Sequence, residues 1–132
     1  MNDKTMFMYL AIFIGGAVGS SLRFIVSLWI EEASVFPYET LLVNLIGCFI
    51  LTYLSTHPTL MSKFSSSVKV GISTGLIGSF TTFSTFSTET LQLWLHTSHI
   101  LALMYVLISL AGGLTLSWLG FFTAHSRKEH VK

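Results

Sequence analysis

Four apolar blocks constrain this chain more than anything else in it. They cover residues 6–30, 40–54, 70–95 and 100–124. A hydrocarbon core about 30 Å thick is crossed by about 20 apolar residues in a helix, so the blocks read as four transmembrane helices. Membrane barrel strands would alternate apolar and polar residues over about ten positions. These blocks are longer and do not alternate. A helix also pairs its own backbone polar groups within the segment, as lipid requires. Only 10% of the 132 residues are charged, where a soluble domain has about a quarter. Mean hydropathy is +0.71, and the excess is spread over all four blocks, so no single soluble core accounts for it. The expectation is one all-α membrane domain covering residues 1–132. The first block is too long for a cleavable signal peptide. It also carries Arg23 and lacks a small-x-small cleavage site.

The connections give an orientation. Glu31, Glu32, Pro37 and Glu39 join the first two blocks, and Pro58 with Lys63 and Lys69 separates the second from the third. A short His96-Thr97-Ser98-His99 turn leads into the fourth block, and residues 126–132 form a basic tail expected to fray. Four crossings put both termini and the middle loop on one side, with Lys4, Lys63, Lys69, Arg127, Lys128 and Lys132. The opposite loops hold no Lys or Arg. The positive-inside rule then places both termini in the cytoplasm of a cell-membrane protein. A net charge of +1 gives no sign of nucleic-acid binding. The single cysteine, Cys48, cannot form an internal disulfide. His57, His96, His99, His125 and His130 lie near block ends and read as interfacial polar residues rather than metal ligands.

Small residues recur at helix-packing intervals. Gly15 with Gly19, and Gly71 with Gly75, form GxxxG pairs that let helix backbones approach closely. Gly112 and Gly113 fit either packing or a smooth pore wall.

Polar residues within spans are costly and tend to be functional. Arg23 reads either as snorkelling to an interface or as a fixed positive charge near an anion path. Asn44 reads either as an interhelical hydrogen bond or as a donor lining a polar pathway. The third block is the anomaly, because eight of residues 79–90 are Ser or Thr. Gly78 and Ser79 precede this run, and a Gly-Ser pair is a place where a helix can break. Broken backbone at membrane depth survives only within protein or beside water. There, freed carbonyls hold cations and a half-helix N-terminus favours an anion. Phe80, Phe83 and Phe86 recur every third residue among these hydroxyls. Ordinary packing is one reading of that stripe. The other uses the positive ring edges, with Thr82, Ser84 and Thr85 as donors to a small hard anion. Glu89 reads as an interfacial residue or as an acceptor for the Ser/Thr cluster, outside any anion path.

The segments GGAVGSSLRF (15–24), TLLVNLIGCF (40–49) and GSFTTFSTFSTE (78–89) resemble the CrcB/Fluc family of fluoride channels. Their order, the chain length and the four-helix layout extend the resemblance over nearly the whole chain. It implies an antiparallel dimer with two fluoride pores and a third helix broken at mid-membrane. It implies a structural sodium ion at the dimer centre, held by the carbonyls of Gly78 and Thr81. Phe83 and Phe86 would be the pore aromatics and Asn44 a pore polar residue, with the Ser84 and Thr85 hydroxyls nearby. Tyr105 and Ser109 would line the pore further along, and Arg23 matches the arginine after the glycine motif. Ser79 and Glu39 stand where the family usually has glycine. The family also contains pairs of related chains that insert oppositely, and the Lys/Arg bias suits the termini-inside member of such a pair. A dimer with itself is the other arrangement the resemblance allows.

The function expected is passive fluoride export. No P-loop, nucleophile–base pair or metal cluster is visible, which argues against an enzyme. A small proton-coupled multidrug exporter would need a carboxylate in its first span, and residues 6–30 have none. A non-conducting assembly subunit would have no need of the Ser/Thr/Phe run.

Overall fold

The computed structural model describes residues 2–30, 34–57 and 59–129, and the regular elements among them are helical. Helix α1 is Asp3–Trp29 and α2 is Tyr38–Thr56, followed by a 3₁₀ turn at Met61–Lys63. The third block is assembled from pieces: α3 (Ser66–Val70), a π-helical stretch (Gly71–Ile77), α4 (Gly78–Phe80) and α5 (Phe83–His96). Helix α6, His99–Glu129, completes the set. Among the described residues, three helices are apolar and long enough to cross a membrane, namely Asp3–Trp29, Tyr38–Thr56 and His99–Ser126.

Beyond shifts of a few residues at the other helix ends, two features differ from the sequence expectation. The fourth helix does not stop at residue 124. It runs to Glu129 and, at 31 residues, is about 46 Å long. Residues 125–129 contain no Gly or Pro, and Arg, Lys and Glu are good helix formers. The break in the third block is not at Gly78-Ser79 either. Gly78 is helical, with φ −63° and ψ −30°. The chain leaves helical geometry at Thr81 (φ −82°, ψ 160°) and Thr82 (φ −147°, ψ 122°), an extended conformation that suits β-branched residues. Expectations that concern Glu31, Glu32, Pro58, His130 and Lys132 fall outside the described residues.

Inter-helix contacts fix the direction of every helix. Gly71 lies against Ala11 and Gly75 against Ile12, while Gly19 meets the Leu76 and Phe80 backbone. The first half of the third block therefore runs parallel to α1. Gly112 touches Leu45, Gly113 Cys48, and Gly120 the 49–53 stretch, so α6 runs parallel to α2. The two pairs run opposite to each other, because Thr40 bonds Glu89 while Asn44 bonds Thr82. The start of α1, the 3₁₀ turn and the end of α6 consequently share one end of the bundle.

The interior is thin. Its apolar members are Val43, Ile77, Leu93, Ala102, Tyr105 and Ala124. Large apolar side chains face outward instead, with Phe13, Leu114 and Trp29 more than 70% exposed. Exposed apolar surface on this scale needs lipid or another chain against it. Lipid tails do not drive helices together, so close packing must. A Cβ at Gly15 or Gly19 would overlap the Gly71 or Leu76 carbonyl oxygen. These glycines thus let α1 lie directly on the π-helical backbone, as their spacing predicts.

Candidate functional site

The break at Thr81–Thr82 organises the polar residues around it. Thr82 caps α5, its side-chain oxygen accepting from the Thr85 backbone N–H at 3.2 Å. Its hydroxyl lies 2.9 Å from Thr85 Oγ1 and 3.3 Å from Ser84 Oγ. The three hydroxyls predicted as donors therefore cluster at the N-terminus of a 14-residue half-helix, where the backbone dipole favours an anion. The rest of the run behaves differently. Ser87, Thr88 and Thr90 donate to the carbonyls of Phe83, Ser84 and Phe86 one turn back, the usual way a hydroxyl is satisfied within a helix.

Asn44 reaches the break from α2. Its Nδ2 donates to Thr82 O at 2.9 Å, and its Oδ1 accepts from the Thr82 N–H at 2.8 Å. In a continuous helix that N–H would go to Gly78 O. The Thr85 N–H, which would go to Thr81 O, goes to Thr82 Oγ1 instead. Both carbonyls that the resemblance assigns to sodium have thus lost their regular helical donors. That fits a hard monovalent cation, which needs oxygen ligands free of other bonds.

From the break a line of aromatic and polar groups runs toward the end of the bundle away from the termini. The Phe83 and Phe86 ring centroids are 5.9 Å apart, and those of Phe86 and Tyr105 are 5.1 Å apart. The fully buried Tyr105 donates its hydroxyl to Glu89 Oε2 at 2.8 Å, and Thr40 donates to Glu89 Oε1 at 2.8 Å. An open cleft of about 330 Å³, lined by Asn44, Gly78, Thr82, Phe83 and Phe86, lies at the start of this line. A larger cavity of about 740 Å³, lined by Glu39, Glu89, Gln92 and His96, lies at its end.

Most of the predicted site residues are therefore brought together. Asn44, Ser84, Thr85, Phe83 and Phe86 surround the break, with Gly78 and Thr81 on its near side. Tyr105 joins them through Phe86. Ser109, one turn farther along α6, has a buried Oγ with no hydrogen-bond partner among the described residues. Arg23 stands apart on α1, half-buried. Two polar residues enter the site that sequence reasoning kept out of it. Glu89 is bonded to Tyr105 itself, and Thr40, only 2% exposed, holds the other carboxyl oxygen. Thr40 opens the TLLVN segment, but a threonine at a helix start gives no signal of a partner 49 residues away.

The chain matches a family model described as "CrcB-like protein, Camphor Resistance (CrcB)" over residues 10–121. It is similar to "Fluoride-specific ion channel FluC 1" of Bacillus cereus, at 44% identity over 86% of this chain and 84% of that one. The protein of the same name from Desulfitobacterium hafniense is 44% identical over 78% of this chain and 90% of its own length. "Fluoride-specific ion channel FluC" of Oceanobacillus iheyensis is 41% identical over 91% and 94% of the two chains. With the match covering nearly every helix and the whole of the site, the chain belongs to the CrcB/Fluc family.

Proposed function

We propose that this chain is a subunit of a fluoride-selective channel that lets cytoplasmic fluoride leave the cell passively. The observation that carries the reading is its identity of over 40% to proteins named as fluoride-specific channels, across most of both chains. The site is chemically suited to the task. A fluoride ion must exchange its water for several donors, and Ser84, Thr85 and the second amide hydrogen of Asn44 lie beside the break. The ring edges of Phe83 and Phe86 add positive potential without a charged trap. Tyr105 and Ser109 flank the path from α6. An inside-negative membrane drives the anion outward by about 2.3 kcal/mol per 100 mV. HF that enters from an acid exterior and ionises inside would supply the ion. Family membership makes the chain a conduit and not an enzyme.

The active unit in this reading is an antiparallel dimer in the cell membrane. The third block crosses it as a broken fourth span, and the exposed Phe83 meets the second chain. Residues Gly78 and Thr81 of both chains would together offer four carbonyl oxygens to a structural sodium ion at the centre. When bound, the ion would supply fixed positive charge between the two breaks. The partner is a second copy or a paralogue of opposite orientation.

Fluoride and chloride efflux from liposomes containing the purified chain test the proposal. Fluoride should pass far faster than chloride. Similar rates for both ions would overturn it. If the chain alone is silent and gains flux with a paralogue, the paired form of the dimer is the active one.

A further inference from the structure

The local backbone does not explain why the third block breaks where it does. Gly78 is helical and no glycine among the described residues has a positive φ. Thr81 and Thr82 are β-branched, which weakens a helix only slightly. Unpaired backbone groups at membrane depth are costly, so residues 78–85 left alone would close into a continuous helix. The compensation comes from α2. Asn44 presents an acceptor to the Thr82 N–H and a donor to the Thr82 carbonyl. One carboxamide thereby pairs both backbone groups of the residue that leaves the helix. Gly47, three residues along the same face, receives the side chain of Thr81. A Cβ there would overlap Thr81 Cγ2. Thr81 is further tied to the preceding turn, its hydroxyl and its N–H both reaching Ile77 O at 3.0 Å.

We propose that Asn44 and Gly47 are positioning residues that impose the break, Asn44 by holding the Thr82 backbone and Gly47 by giving Thr81 room. The register of everything after the break follows from them. They hold the Thr82 N–H away from the Gly78 carbonyl and set where α5 and its Phe83 and Phe86 rings begin. This adds to the proposed pore role of Asn44, whose oxygen and one amide hydrogen are already committed to the backbone. The inference rests on the channel reading only where fluoride flux is the readout.

The test has one arm that needs no fluoride. Carbon chemical shifts of Thr81 and Thr82 in lipid bilayers report whether each is extended or helical. Native protein should show extended shifts at both, and Asn44→Leu should move Thr82 to helical values. Retention of extended shifts in assembled Asn44→Leu overturns the role of Asn44. The second arm is a flux cycle at equal amounts of assembled protein. Gly47→Ala should lower fluoride efflux about tenfold or more when residue 81 is Thr. In the Thr81→Ser background, where the clashing methyl is gone and the hydroxyl kept, the same change should cost about twofold or less. An equal loss in both backgrounds overturns the role of Gly47. If Asn44→Leu does not assemble, Asn44→Ala gives the same shift readout, since it removes both the acceptor for the Thr82 N–H and the donor to Thr82 O. Shifts that move as expected in a chain that passes no fluoride, either alone or with a paralogue, would refute the channel and leave the positioning role standing.

Discussion

Phe83 and Phe86 are one turn apart on α5 but have different surroundings. Phe83 is 80% exposed, whereas Phe86 packs between Phe83 and the buried Tyr105. Replacing either with isoleucine keeps bulk and removes the positive ring edge. Each substitution should reduce fluoride efflux from liposomes about tenfold or more, equivalent to at least about 1.4 kcal/mol, with assembly intact. Unchanged flux in both would return the rings to simple packing. Tyr105→Phe tests the neighbouring bond. It removes one of the two hydroxyl donors to the Glu89 carboxyl, and a bond of this kind contributes about 1–3 kcal/mol. The thermal midpoint of the purified protein should fall, and an unchanged midpoint would show that this bond adds nothing to stability. At this scale the sequence was partly legible. The crowding of hydroxyls in 79–90 pointed to the segment in which the helix breaks. Composition could not separate Thr82, Ser84 and Thr85, which face one another, from Ser87, Thr88 and Thr90, which bond their own helix. Glu89 accepts from Thr40 and Tyr105 rather than from the Ser/Thr cluster, and these partners were hidden because they come from two other helices.

Helix pairing was legible where it depends on local spacing and illegible where it depends on distant residues. The GxxxG pairs announced close approach, and Gly15 and Gly19 do meet the backbone of residues 71–76. The π-helical form of Gly71–Ile77 left no mark in the sequence, since it depends on how α1 lies against it. The break was displaced from its expected position because α2 sets it, through a side chain 38 residues away. These close approaches make a graded prediction. A Cβ at Gly19 would overlap Leu76 O and lie 3.0 Å from Phe80 N, all backbone that cannot turn aside. At Gly113 the nearest atom is Cys48 Sγ at 3.4 Å, an ordinary contact. Gly19→Ala should therefore destabilise the protein by about 1–3 kcal/mol, as overpacking does, and Gly113→Ala should be close to neutral. Thermal unfolding in one detergent compares them, and equal midpoints would mean that α1 is not held by this contact.

At the scale of the whole molecule, the sequence gathers its basic residues in a few segments. Six of its seven Lys and Arg residues lie in the terminal segments and the middle loop, and the seventh, Arg23, is within α1. The helix directions put the start of α1, the 3₁₀ turn and the end of α6 at one end, through Ala11 against Gly71 and Gly120 against residues 49–53. The opposite end holds Glu39, Glu89 and His96 around its cavity and, among the connections there, no Lys or Arg. Short loops follow the positive-inside bias well, so insertion should be nearly uniform, with both termini cytoplasmic. An antiparallel dimer then needs a second chain whose bias is reversed, most simply a paralogue with Lys or Arg in its first and third loops. The alternative is that a fraction of copies inverts against the bias, by roughly 1 kcal/mol for each basic residue drawn from an anionic inner surface. Labelling of a single new cysteine near the C-terminus, in a Cys48→Ser background, distinguishes the two. Reaction with an impermeant reagent only after permeabilisation is the expected result, and it would make the paired dimer the working form. Labelling of a comparable share of the copies before and after permeabilisation would sink the fixed orientation and make two copies of this chain sufficient for the channel.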